Sequence, residues 1–236
     1  MYARGIQDMK SVGIQYLEAI RMIKPNLKGN YRTVHVSFVP DEEIGGKDGM
    51  AIFSKSNDFK KLNVGIGFDE GIDIKIEGNQ GHGSKFIKFT AVSKLGGIQT
   101  NVIPSCFQMS VDIRVTPDDD DKIDTLIKKW ENKYSQTKFK YVTSGTSKCT
   151  NLKEGSLTSM FISVLKKRNM KYSELIFTGA TDARFLREMN IPVIGFSPMI
   201  NTPVLLHDND ENLNLNVFKS GIDIYADIIK SLIQIS

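Results

Sequence analysis

The residues best suited to do chemistry are two acidic pairs, Glu42 with Glu43 and Asp69 with Glu70, and three histidines, His35, His82 and His207. Each acidic pair follows an apolar run, 33–39 closed by Pro40 and 64–68 closed by Asp69 itself. Both runs read as strands, so the carboxylates emerge at strand carboxyl ends, where open α/β sheets bind their ligands. Neighbouring strand residues face opposite ways, so Glu42 and Glu43 can serve one site only where the backbone has begun to turn, as Pro40 permits. Clustered carboxylates repel one another and take up protons unless a cation compensates. Asp and Glu oxygens with a His nitrogen suit Zn²⁺, and a further, non-ligating Glu can take a proton from metal-bound water. Acidic loops are nevertheless common, and spacing alone favours solvated loop residues for all four.

Among the histidines, His35 lies inside the apolar run 33–39 and reads as a core residue with a satisfied ring. His82 stands between glycines in Gly-His-Gly-Ser, on a loop where little else accounts for it. His207 follows Thr-Pro-Val-Leu-Leu at the end of an apolar run, within reach of the same sheet edge. Position alone does not separate a ligand from a surface residue there.

The elements that must carry these groups follow from hydrophobic periodicity. Apolar residues at Met9, Val12, Tyr16, Ile20 and Ile23 predict an amphipathic helix over 6–23, with Asp8 at its start. Strands are expected at 73–77, 89–95, 107–115 and 138–142, three of them alternating polar with apolar, and a helix at 119–134. This half-polar stretch defines an inserted unit at 74–147, set into a larger unit made of 1–73 and 148–236. Helices at 157–169 and 181–189, strands near 174–177 and at 192–196, and a final helix using Val217 to Leu232 complete the pattern. Such alternation implies an α/β layer with a mostly parallel sheet. The acidic run 118–121 follows Thr116-Pro117 and is better explained by helix capping than by calcium.

Composition bounds the partners. A net charge of +4, from 31 basic and 27 acidic residues scattered along the chain, gives no basic patch for nucleic acid. No apolar run is long enough to span a bilayer, and the opening residues lack a secretory signal, so a membrane partner is not expected. Cys106 and Cys149 have no metal-type spacing and read as reduced thiols of a cytosolic protein.

Taken together, seven segments resemble the aminoacylase-1 group of the M20 metallopeptidase family. They are Ala-Arg-Gly-Ile-Gln-Asp-Met-Lys (3–10), Phe-Val-Pro-Asp-Glu-Glu-Ile-Gly-Gly (38–46), Phe-Asp-Glu-Gly (68–71) and Gly-His-Gly-Ser (81–84). The series continues with Asn-Val-Ile-Pro (101–104), Ala-Thr-Asp-Ala-Arg (180–184) and the stretch from Gly-Phe-Ser-Pro to Leu-Leu-His-Asp (195–208). The resemblance implies a zinc-peptidase-like, mostly parallel sheet with flanking helices, plus an inserted ferredoxin-like α+β lid used for dimerisation. It further implies that Asp8 bridges two zinc ions and that Glu43, Glu70 and His207 are metal ligands. Glu42 would be the general base, and His82 would stabilise the oxyanion in a neighbouring subunit's site. Asn101 and Arg184 match substrate-binding positions, Arg184 forking onto a substrate carboxylate.

Two departures from the family pattern stand out. The strand ending in a His-x-Asp pair that precedes the Asp8 motif in family members has no counterpart here, so truncation is expected. The lid is shortened after Ser84 and between Gly71 and Asp73, which weakens the expected homodimer. The resulting expectation is a cytoplasmic, zinc-dependent hydrolase of N-acyl-L-amino acids, impaired by truncation. Alternatives are a related M20 dipeptidase or carboxypeptidase, and an inactive truncated isoform or gene-model fragment.

Overall fold

A computed structural model describes residues 1–71, 74–76, 88–95, 101, 103, 106–141, 149–177 and 179–234, with backbone alone at 74–76, 88–95, 118 and 120. The described elements are helices α1 (Ser11–Ile23), α2 (Met50–Phe53), α3 (Asn57–Leu62), α4 (Ile123–Lys133), α5 (Ser156–Lys167), α6 (Ala183–Glu188) and α7 (Leu215–Ile233). The strands are β1 (Gly67–Asp69), β2 (Ile74–Ile76), β3 (Lys88–Leu95), β4 (Gln108–Arg114), β5 (Tyr172–Glu174) and β6 (Val193–Gly195). They divide between two compact units, Met1–Gly83 with Lys148–Ser236, and Ser84–Ser147.

In the larger unit α7 is the principal helix. Asn214 caps it by accepting the Asn216 N–H, and Ile224, Tyr225, Ile228 and Leu232 recur at helical spacing on its buried side. That side packs against α1, whose Val12, Ala19 and Ile23 are buried in the same cluster as Phe161 and Leu165 of α5. Gly221 lets the two helices approach, because a Cβ there would lie 2.1 Å from the buried Gln15 amide nitrogen. An aromatic chain runs through this core: Phe161 meets Phe196 edge-on at 5.2 Å, Phe196 meets Tyr225 at 5.7 Å, and Tyr225 meets Tyr16 at 4.6 Å.

The parallel sheet is small among the described residues. β1 pairs with β6 in parallel register, Phe68 opposite Ile194 and Asp69 opposite Gly195. β2, expected to open the inserted unit, instead pairs antiparallel with β5, Ile74 opposite Glu174, inside the larger unit. A second cluster around Met50, Phe59, Ala183, Leu186 and Val193 ties α2, α3 and α6 to β6.

Three expectations need correction. Residues 33–39 form no strand: the run pairs with no strand among the described residues, and Val34, Val36 and Phe38 are exposed. Their β-branched composition fits a pleated surface, but a strand also needs a neighbouring backbone, and none among the described residues lies alongside. His35 therefore sits at the surface and is no core residue. The helix expected over 6–23 begins as a wide, kinked turn, Ile6–Lys10, with non-helical φ and ψ at Asp8 and Met9, and becomes regular only at Ser11.

In the smaller unit β3 and β4 form an antiparallel hairpin, with Phe89 opposite Ile113, and α4 buries Ile127 and stacks Trp130 on Phe139 at 6.0 Å. Residues 138–141 are irregular where a strand was expected. Within the acidic run, Asp119 accepts from the Thr116 hydroxyl and from Lys122, a local hydrogen bond and ion pair.

Candidate metal centre

Asp8 reaches the site from the kink inside Ile6–Lys10, just before α1. Glu42 and Glu43 lie on a single 3₁₀ turn, Glu42–Ile44, framed by left-handed residues: Asp41 (φ 61°) before it, Gly45 (φ 105°) and Gly46 (φ 61°) after it. With about three residues per turn, successive side chains diverge by roughly a third of a circle, so both glutamates can face one region. The required exit from extended backbone at Pro40 is thus present even though the preceding strand is not. Asp69 ends β1, its carboxylate accepting the N–H groups of Glu70 (2.9 Å) and Ala183 (2.7 Å), and so turns Glu70 outward from the sheet end. His207 arrives from the loop before α7 with a left-handed backbone, φ 60°.

These segments bring three donors together. His207 Nε2 lies 2.9 Å from Asp8 Oδ2 and 3.0 Å from Glu43 Oε2, and one ligand atom from each residue falls within 4.8 Å of the other two. Glu70 is hydrogen-bonded to Asp8; burial first, then the Asp8, Asp69 and Glu42 charges, push its carboxyl up to about 10. Glu42 is pushed up to about 7 by burial and then by the charges of Asp182, Glu43 and Asp8. Two carboxylates and an imidazole, with the raised carboxyl of Glu70 beside Asp8, are a donor set suited to a divalent ion. The residues present fit such an ion.

Arg184 on α6 donates from Nη2 to the Gly45 carbonyl at 2.6 Å and lies over the Phe185 ring, so its guanidinium stands beside the turn that carries Glu42. Asn101 is exposed, in the smaller unit. His82 lies outside the described residues.

Three further residues belong to this centre although their spacing does not announce it. Asp182 is buried, neither of its carboxylate oxygens has a hydrogen-bond partner among the described residues, and burial together with the Asp69 charge pushes it up to about 6. Glu211 is buried and receives the N–H groups of Gly5 and Gln7, each at 2.7 Å. Burial acts to raise its pKa, but these hydrogen bonds and Arg4 prevail and hold it below the usual carboxylate range. Gln7, also buried, ties the first segment to the residues around His207. The available signal was their place beside the motifs that hold Asp8, Arg184 and His207.

Residues 1–231 match peptidase family M20/M25/M40. Aminoacylase-1 of Mus musculus is 33% identical over 296 aligned positions, covering 100% of this chain and 72% of that protein. Aminoacylase-1 of Homo sapiens is 33% identical over 298 positions with the same coverage, and that of Dictyostelium discoideum 32% over 306 positions, covering 99% of this chain and 75% of that protein. The mouse alignment runs over 296 positions while the chain has 236 residues, so 60 aligned positions carry no residue of this chain. Since the whole chain is aligned, these gaps lie inside it.

Proposed function

The chain belongs to peptidase family M20/M25/M40 as an amidohydrolase similar to aminoacylase-1, and on that premise we propose that it hydrolyses N-acyl-L-amino acids with zinc as its metal. The observation that carries the reading is the meeting of Asp8, Glu43 and His207 within 4.8 Å, in a chain whose relatives are named aminoacylases.

Asp8, Glu43 and His207 would hold the ion, with Glu70 joining when its proton is displaced. When bound, zinc supplies Lewis acidity toward the amide carbonyl and the attacking water. Glu42, not a ligand, accepts the proton of that water as it adds to the amide carbon, and delivers it to the departing nitrogen as the C–N bond breaks. The products are a carboxylate and a free amino acid. Arg184, already aimed at this turn through Gly45, would leave that carbonyl to fork onto the substrate carboxylate, a geometry that suits guanidinium. Asn101 would hold a substrate polar group, and His82 would stabilise the oxyanion in the site of a second subunit.

The larger unit would be the zinc-peptidase-like catalytic domain, and the inserted unit, expected at 74–147 and compact over Ser84–Ser147, a ferredoxin-like lid and dimerisation domain. The alignment gaps are consistent with internal shortening, which this reading places in the lid near Gly71 and Ser84, with a weakened homodimer as its consequence. A cytoplasmic location goes with this reading; among the described residues no helix is long and apolar enough to cross a membrane.

The test is turnover by zinc-loaded protein of N-acetyl-L-methionine beside an unblocked dipeptide. Release of methionine from the acetylated substrate, abolished by a chelator and restored by zinc, is expected. Preference for the dipeptide would replace the aminoacylase assignment with a peptidase one, and turnover that survives complete metal removal would overturn the mechanism.

A further inference from the structure

We infer that Gln7 and Glu211 are positioning residues that set the reach of Asp8 and His207 toward one another, and so govern how tightly the centre holds its ion. The inference rests on the metal reading of the Asp8, Glu43 and His207 cluster.

Asp8 and His207 lie 199 positions apart in the chain. Neither is fixed by packing alone: the His207 side chain is 65% exposed, and its backbone has a left-handed φ of 60°, which is unfavourable for a non-glycine residue and must be held by something else. Asp8 sits at a kink with non-helical φ and ψ, so helix geometry does not set its direction either. What holds both is a reciprocal pair of buried side chains, one from each segment.

Glu211, from the His207 side, faces the Asp8 segment. Its Oε2 accepts from the Gly5 N–H (2.7 Å) and Arg4 Nη1 (3.1 Å), and its Oε1 from the N–H groups of Gln7 (2.7 Å) and Asp8 (3.4 Å). Gln7, from the Asp8 side, faces the other way. Its Nε2 donates to the carbonyls of Pro203 (3.1 Å) and Asn212 (2.7 Å), while its Oε1 accepts the Leu205 N–H (3.0 Å). The three partners of Gln7 bracket His207 on both sides, and Arg4 adds a contact to the Asp208 carbonyl. Backbone groups beside each ligand are thus anchored by side chains of the opposite segment, yet neither Gln7 nor Glu211 occupies a ligand position. Outer partners of this kind, which aim ligands without touching the ion, typically change metal affinity by about 10–100-fold when removed.

The experiment compares zinc affinity, by chelator competition with the full chain, and the rise in Tm that zinc produces over the metal-free protein. The wild type is measured beside Gln7→Met, Glu211→Gln, Asp8→Asn and Gln15→Met. Gln15 is an equally buried glutamine that donates to Phe218 O away from the centre, so Gln15→Met reports a purely structural loss. The expected result is zinc binding about 10–100-fold weaker in Gln7→Met and Glu211→Gln, a smaller zinc-induced rise in Tm, and an undiminished rise in Gln15→Met. If Glu211→Gln does not fold, Gln7→Met, which nearly conserves volume, decides alone. Wild-type affinity and an undiminished zinc-induced rise in Gln7→Met, with binding lost in Asp8→Asn, would overturn the positioning role while leaving the metal reading intact. A wild type that binds no zinc, or an Asp8→Asn chain that binds it unchanged, would overturn both.

Discussion

Glu42 and Asp182 show how much of the centre's behaviour is decided by single side chains in shared confinement. Glu42 stands close to neutrality in its affinity for protons and is not among the three clustered donors, which is what a proton carrier between water and an amine requires. Glu42→Gln is expected to lower kcat by about 10²–10⁴-fold while zinc content, measured by metal analysis, stays at the wild-type level. Asp182 is a buried carboxylate with no hydrogen-bond partner among the described residues, its pKa raised from the ordinary value of 3.8 to about 6. Between those two values the folded chain binds more protons than the unfolded one, so this residue favours folding in acid and loses that favour as pH climbs through 6. Asp182→Asn is therefore expected to raise the Tm of the metal-free protein at pH 7, with the gain fading by pH 4. A gain that is equal at pH 4 and pH 7 in thermal scans would contradict this account.

At the level of elements, the turn Glu42–Ile44 matters most, because it presents the base and a ligand on neighbouring residues. Its exit depends on Gly46, where φ is +61° and an added Cβ would lie 2.3 Å from an Asp182 carboxylate oxygen and 2.9 Å from the Phe185 ring. Gly46→Ala should displace the turn, at a backbone strain of about 1–3 kcal/mol, and reduce zinc binding and turnover together; wild-type zinc stoichiometry and kcat in that variant would show that the turn tolerates the shift. The turn was legible in the chain, since Pro40 followed by two glutamates and two glycines can hardly continue a strand. Its supports were not. Asp182 sits under the turn only because α6 packs there, and Gln7 and Glu211 act on backbone groups some two hundred positions away, a relation that no local pattern encodes. The run 33–39 misled in the opposite sense: its β-branched residues state a preference for sheet, but nothing local says whether a neighbouring strand exists.

Over the whole molecule, what was readable was the periodic part. The helices at the chain's start and end, the α5 and α6 positions and the paired strands 67–69 and 193–195 all follow apolar spacing, because burial of one face is written into sequence order. The long-range assignments were less so: β2 joins β5 rather than the inserted hairpin, since three alternating residues fit either sheet. The larger unit is tied together by the Phe161, Phe196, Tyr225 and Tyr16 rings, with Phe161 fully buried. Phe161→Ala should cost about 3–5 kcal/mol and lower Tm by on the order of 10 °C for a unit of this size; a loss under 2 °C or so would mean the ring contacts are not the mainstay of this core. The bare ribbon at 33–39 also has a practical side. With Val34, Val36 and Phe38 facing water and no ladder on either edge among the described residues, it is a ready template for intermolecular β-pairing. Light scattering of the purified protein should climb steeply with concentration, and Val36→Lys should delay that climb to higher concentrations. This colloidal weakness, rather than the chemistry of the centre, would then limit how concentrated a sample can be kept.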